Sequence, residues 1–292
     1  MRLLFTIPHY FRSNGSDEPS QARLRGTHAS VTGSPAGRVR ALRTTVMSLH
    51  QTFGPSQAMI HHADRRAIPA NESTRHDVQV VVATNGNAHL MNEAALPSEL
   101  CDHVSVDGDP TRLGFACHQL LRDRFGGYDF YCFLEDDLSL RDPWFFDKLR
   151  WFHSNVGDDN VLMPNRFERS EEHRYKKCYL DGDLALRVTE PFQDTNESPE
   201  LKYTVLGRPL RMIRPLNPHS GCFFLNTAQM KHWAEQPYFE NQEAGFVGPL
   251  ESAATLGIMK TFRIYKPARE NASFLEIEHY GSRFIDLIGK RV

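Results

Sequence analysis

Phe130-Tyr131-Cys132-Phe133-Leu134, followed without a break by Glu135-Asp136-Asp137, is the stretch that most restricts how this chain can fold. Five consecutive apolar or aromatic residues read as a strand covered on both faces, because a strand with one wet face alternates polar and apolar residues. Three carboxylates directly after it cannot enter a core unpaired. They must emerge at the strand's C-terminal edge, where open α/β sheets place their ligand crevices. Three adjacent negative charges also need a positive partner, and a hard divalent cation that shares its other positions with water and substrate phosphates would supply one. In an extended chain Glu135 and Asp137 point to one side and Asp136 to the other, which makes Glu135 and Asp137 the expected metal ligands. The bland alternative is a solvated acidic loop.

The rest of the chain is consistent with an α/β sheet around that strand. Leu3 to Ile7, Val78 to Thr84 and His103 to Asp107 read as further strands, each closed by polar or turn-forming residues. Tyr10, just past the first strand, is placed to stack a nucleobase or merely to pack on its neighbours. Asn85 is a candidate to read base or ribose, or to form the turn, and Asp107 a candidate to bind ribose hydroxyls, or to start the Asp107-Gly108-Asp109-Pro110 turn. Residues 13–37 are rich in Ser, Gly, Pro and Arg without periodicity and predict a mobile loop. Val39, Leu42, Val46 and Leu49 recur at helical spacing, with Arg38, Arg40 and Arg43 assigned to that helix's wet face and a phosphate-binding role for any of them the lesser alternative.

A second helix opens at Thr111-Arg112-Leu113-Gly114 and stops at Gly126-Gly127. Asp142-Pro143 then suit N-cap and N1 of a helix whose Trp144, Phe145, Phe146 and Trp151 are expected in the core. Between 161 and 214 short strand-like pieces alternate with polar connections, with no readable topology. Pro249 suits N1 of a late helix and Glu251 its N3, where a carboxylate is favoured by the helix dipole and stays ionised, as a general base requires. His61-His62 with Asp64 superficially resembles a metal cluster, but adjacent side chains on an extended segment point apart.

Composition sets outer bounds. A chain of 292 residues with 40% hydrophobic content can bury a substantial core. A net charge of −2 argues against a broad nucleic-acid-binding face, so the expected partner is small. Five cysteines without CxxC spacing predict neither a disulfide framework nor structural zinc, and fit a reducing compartment. The first apolar run is too short for a signal core and no stretch has membrane length; the expectation is a cytoplasmic protein without a transmembrane segment.

The path from Leu113-Gly114-Phe115-Ala116 through Tyr128-Asp129 to Glu135-Asp136-Asp137 resembles the core of the GT-A glycosyltransferases, in which a helix leads into a buried strand ending in a metal-binding DXD motif. Here Glu135 stands where the motif has its first Asp. The resemblance implies a GT-A, Rossmann-like, mixed and mostly parallel sheet flanked by helices. It implies a single domain over residues 1–292, its nucleotide-sugar half 1–142 and its acceptor half 143–292. It also implies Mn²⁺ or Mg²⁺ held by Glu135, Asp137 and the C-terminal His279. Asp136, Arg112, Gly114 and Arg283 would then approach the nucleotide-sugar, Ser220 and Gly221 would form the family's glycine loop, and Glu251 would take the proton of the acceptor hydroxyl. The expected reaction moves a sugar from a nucleotide-diphosphate donor, a UDP-sugar first among them, to a hydroxyl of a glycan, glycolipid or small molecule, with inversion if Glu251 is the base. Two alternatives stay open: a metal-dependent nucleotidyltransferase and a non-catalytic sugar-nucleotide or carbohydrate-binding protein.

Overall fold

The structure is a computed structural model that describes residues 1–12 and 34–289; the greater part of the predicted loop 13–37 therefore lies outside the described residues. Strand β1 (Arg2–Pro8) is followed by helix α1 (Pro35–Phe53), which starts inside that predicted loop because the Ser34 side chain accepts a hydrogen bond from Gly37 N and Pro35 fits the first turn. A hairpin of β2 (Ala58–His61) and β3 (Arg66–Pro69) comes next, where the sequence analysis expects no strands. Its turn carries an exposed pair, His61 Nδ1 to Asp64 Oδ2 at 3.2 Å, which is why that cluster is a turn contact. Then follow β4 (Asp77–Asn85), α2 (Met91–Ala94), β5 (Asp102–Val106), α3 (Leu113–Asp123), β6 (Phe130–Leu134) and β7 (Leu138–Ser139).

The second half contains α4 (Phe145–Val156), β8 (Asn160–Leu162), β9 (Asn165–Arg169), β10 (Lys177–Tyr179), β11 (Glu200–Val205) and β12 (Arg208–Ile213). It ends with β13 (Cys222–Asn226), α5 (Thr227–Ala234), α6 (Pro249–Thr261), β14 (Arg263–Pro267) and β15 (Glu276–His279). Helix α6 starts as its sequence predicts, with Gly248 as N-cap, Pro249 at N1 and Glu251 in the first turn. Helix α4 starts two residues later than Pro143, because Asp142 Oδ1 accepts from Trp144 N and closes a turn there.

The main sheet runs β13-β6-β1-β4-β5, with β1 parallel to both β4 and β6, β4 parallel to β5, and β13 antiparallel at one edge. It is a mixed, mostly parallel α/β sheet. Its strands alternate between two cores: Leu3, Phe5, Ile7, Phe130, Cys132 and Leu134 pack with α1 and α4, while Leu4, Tyr131 and Phe133 pack with α3, α5 and α6. Coverage on both faces is the physical reason for the unbroken apolar runs. Each fully buried Phe or Leu among them contributes about 1.5–3 kcal/mol relative to exposure. Trp144 departs from the expected core: it is 59% exposed, whereas Phe145 and Phe146 are fully buried.

The chain goes from β1 to β4 on one side and later returns to β6 on the other, so the strand order reverses at β1. A crevice at the C-terminal ends of these strands follows from that reversal. Two four-stranded sheets, β10-β9-β15-β7 and β11-β12-β14-β8, extend the second half and bring β15 beside β7, directly after the acidic motif. Among the described residues, no helix is long and apolar enough to cross a membrane.

Candidate functional site

The backbone turns as soon as β6 ends, with Leu138 N donating to Glu135 O at 3.3 Å. The chain is therefore not extended through the three carboxylates, and the expectation that Glu135 and Asp137 share a side is corrected. Each carboxylate acquires its own surroundings.

Asp136 is buried. Its Oδ2 lies 2.5 Å from His9 Nδ1, and its Oδ1 accepts from Arg38 Nη2. The Leu90 N–H donates to His9 Nε2 at 3.1 Å, which leaves the ring proton on Nδ1, facing Asp136. Burial by itself would raise the Asp136 pKa; the Arg38 guanidinium, helped by His9, outweighs it and holds the carboxyl at about 2. Burial likewise works against the Arg38 charge, but Asp136 and Asp137 outweigh it and its pKa is raised. Arg38 thus belongs to the site and not to the wet face of α1.

Asp137 Oδ2 lies 3.3 Å from Arg38 Nη1 and 3.7 Å from His279 Nε2, while its Oδ1 is buried without a hydrogen-bond partner among the described residues. The other ring nitrogen of His279 is 2.9 Å from Glu168 Oε1. Glu168 is fully buried and also accepts from the backbone N–H groups of Phe284 and Ile285 at 2.9 and 2.7 Å. Burial pushes the His279 pKa down; the Asp137 carboxylate and the bond to Glu168 outweigh it, and the pKa is raised.

A divalent cation fits this pair. An orphaned carboxylate oxygen, and an imidazole fixed by a carboxylate behind it, are the first and second layers of a common metal arrangement. Among the described residues no three His, Cys, Asp or Glu side chains converge, so the protein would supply two ligands and leave the rest to water and phosphate oxygens, as Mg²⁺ and Mn²⁺ sites often do.

Glu135 faces the other way, toward β13. Its Oε1 is 3.9 Å from His219 Nε2, and Gly221, at φ +63°, lies so close that a Cβ there would come 2.7 Å from Glu135 Oε2. His219 Nδ1 is 3.0 Å from Thr255 Oγ1 on α6. Behind this loop Lys266 Nζ donates to His219 O at 2.6 Å and to Asp181 Oδ2 at 2.8 Å, and Arg166 Nε donates to Asp181 Oδ1 at 2.9 Å. Glu251 and Thr255 are four apart on α6, so the first turn of that helix shares a face with the residue bonded to His219. A polar cleft of about 620 Å³ opens beside His279, lined among others by Ser139, Arg141, Arg169, Glu278 and Tyr280.

No protein-family model matches this chain, and no curated protein does. Solved structures are similar to it only at low overall scores. Against S. aureus TarS the TM-score is 0.46 at 10% identity, over 97% of this chain and 37% of that one. The residue 1–349 form of the same protein gives 0.44 at 10% identity, over 98% of this chain and 62% of that one. Mouse xyloside xylosyltransferase 1 gives 0.42 at 13%, over 97% and 98%. The chain thus spans less than two thirds of either TarS form. At these scores the site's own geometry has to carry the chemistry.

Several residues chosen from sequence are engaged elsewhere. Gly114 packs against α6, since a Cβ there would stand 2.7 Å from Ala253 Cβ. Arg112 donates to Gln242 O and lies over Phe115. Ser220 Oγ is spent on Pro164 O at 2.7 Å, and Asn85 Nδ2 ties the end of β4 to Val106 O and Gly108 O. Tyr10 packs against the second core. Asp107 and Arg283 are exposed, the latter beside Phe284. The residues that sequence reasoning passed over are His9, Arg38, Glu168 and His219. His9 had a signal, its place directly after Pro8 at the end of β1; Arg38 and Glu168 had none, because only tertiary contacts select them.

Proposed function

We propose that this protein transfers a sugar from a nucleotide-diphosphate donor to a hydroxyl acceptor, with Asp137 and His279 holding Mn²⁺ or Mg²⁺. The observation that carries this reading is the Asp137–His279–Glu168 arrangement at the edge of the sheet where the strand order reverses. Glu135 is withdrawn from the ligand set, since it faces Gly221 and His219. The chemistry such a cation supplies is neutralisation of charge on the departing diphosphate.

The chain's own groups do the rest. Asp136, fixed by His9 and Arg38, sets the position of the acidic turn. The close packing of Gly221 on Glu135 fixes the loop that carries His219 against the acidic turn. Glu251 takes the proton of the acceptor hydroxyl as its oxygen bonds to the anomeric carbon. The bond from that carbon to the diphosphate breaks, and a nucleoside diphosphate leaves; attack from the face opposite the leaving group inverts the centre. The serine, tyrosine and charged groups lining the cleft beside His279 suit a hydroxyl-rich acceptor. A UDP-sugar is the first donor to try.

Purified protein incubated with UDP-, GDP- and CDP-sugars, with Mn²⁺ or with EDTA, tests the reading. Metal-dependent release of a nucleoside diphosphate, lost in Asp137→Ala, is the expected result. Release that EDTA and Asp137→Ala leave untouched rejects the metal assignment. Pyrophosphate as product means nucleotidyl transfer, and donor binding without turnover across an acceptor panel means a binding protein. Near-normal turnover by folded Glu251→Gln rejects Glu251 as base.

A further inference from the structure

The acidic turn already holds a cation of its own. The Arg38 guanidinium is almost wholly buried; it spans the two carboxylates, with Nη2 on Asp136 and Nη1 3.3 Å from Asp137 Oδ2. The same Oδ2 is 3.7 Å from His279 Nε2, so the guanidinium and the cation-binding pair compete for one carboxylate. Two atoms at this junction are unmet among the described residues: the buried acceptor Asp137 Oδ1 and the buried donor Arg38 Nε. One calls for a cation and the other for an anion.

Charge bookkeeping links the two. Arg38 spans Asp136 and Asp137, and a third carboxylate, Glu168, lies behind His279. A divalent cation added on Asp137 and His279 brings the positive total to three, against the three carboxylates Asp136, Asp137 and Glu168, and it takes from Arg38 the Asp137 oxygen that the guanidinium holds. The oxygens of a diphosphate then supply the displaced guanidinium with a new partner and its Nε with the acceptor it lacks among the described residues.

Resting on the assignment of the cation to Asp137 and His279, we propose that Arg38 is a positioning residue that makes divalent-cation binding conditional on a nucleoside diphosphate. It holds the two aspartates in place of the metal when the donor is absent, and it turns part of its hydrogen bonding to the diphosphate when the donor and the cation arrive together. Binding of either ligand then raises the affinity for the other by the same factor.

Mn²⁺ titrations followed by the EPR signal of the free ion, with and without UDP or GDP, test this without reference to turnover. In the wild type the diphosphate is expected to tighten Mn²⁺ binding by about tenfold or more. In Arg38→Met, Mn²⁺ alone should bind more tightly than to the wild type, and the gain from the diphosphate should shrink to about threefold or less. Arg38→Gln, which keeps a polar amide at the level of Arg38 Nε, reads the same quantities if the Met variant does not fold. Wild-type Mn²⁺ affinity that is equal with and without diphosphate overturns the inference while leaving the metal assignment standing. So does an Arg38 variant whose nucleotide-free Mn²⁺ affinity is unchanged or weaker. No Mn²⁺ binding to any form in either state defeats the metal assignment and the inference together.

Discussion

Asp136 combines full burial with a pKa held at about 2 by Arg38 and His9 against the burial that would raise it. A carboxyl whose folded pKa lies below its unfolded value of about 3.9 adds stability that is complete above the unfolded value and is lost as pH falls through the folded one. The contribution is on the order of 2 kcal/mol, and urea unfolding between pH 7 and pH 2 should show it vanish mostly below pH 4. Asp136→Asn should lose about 3 kcal/mol at pH 7, because it leaves Arg38 buried with its main partner neutralised, and its acid slope should be shallower. An unchanged slope would mean that Asp136 is not the titrating group. Gly221 makes a second residue-scale case. Its φ of +63° and the 2.7 Å approach to Glu135 Oε2 both exclude a side chain. Gly221→Ala should therefore destabilise by about 1–3 kcal/mol and weaken donor binding, measured by denaturation and nucleotide titration. Wild-type values in both would show that the loop yields freely.

Contact between α3 and α6 turns on one missing methyl group. Ala253 Cβ would meet a Cβ at position 114 at 2.7 Å, and Leu250 and Phe133 close the same spot at 3.7 Å. Gly114→Ala gains helix propensity of about 1 kcal/mol but overfills the interface, so a net loss of about 1–3 kcal/mol is expected, with recovery in the Gly114→Ala, Ala253→Gly pair. A stabilised single variant would show that the helices can part. These elements were legible before any contact was known: Pro249 and Glu251 marked the start of α6, and the spacing of Leu42, Val46 and Leu49 marked α1. What periodicity did not reveal was which neighbour fills a gap. By sequence Gly114 is a residue open to a ligand, and in the fold a helix packs against it. Trp144 followed the aromatic spacing of α4 into an expected core, yet it precedes the first turn and stays in solvent.

At the scale of the whole molecule, the loop carrying His219, Ser220 and Gly221 is pinned from behind by Lys266, which is 2% exposed and bonded to Asp181 and His219 O. Burial lowers the Lys266 pKa, with Asp181 opposing it. Lys266→Met should cost about 3 kcal/mol in urea unfolding, because it strips a buried carboxylate of one of its two cations. It should also impair donor binding more than an Arg40→Met control on the exposed side of α1, and equal effects would deny the loop its role. The chain's order of residues was sufficient to determine the buried strands, the acidic edge at the end of β6, the late helix with Glu251 in its first turn and the place of His279 near the end. Those features are local: side-chain period and turn chemistry act within a few residues. The assignment of each carboxylate to a partner belonged to the tertiary structure. His9 meets Asp136 across 127 positions, Arg38 across 98, and His279 meets Glu168 across 111. Contacts of that separation are set by how strands cross and sheets pack, and a buried charge selects its partner only after those crossings have brought the candidates within reach.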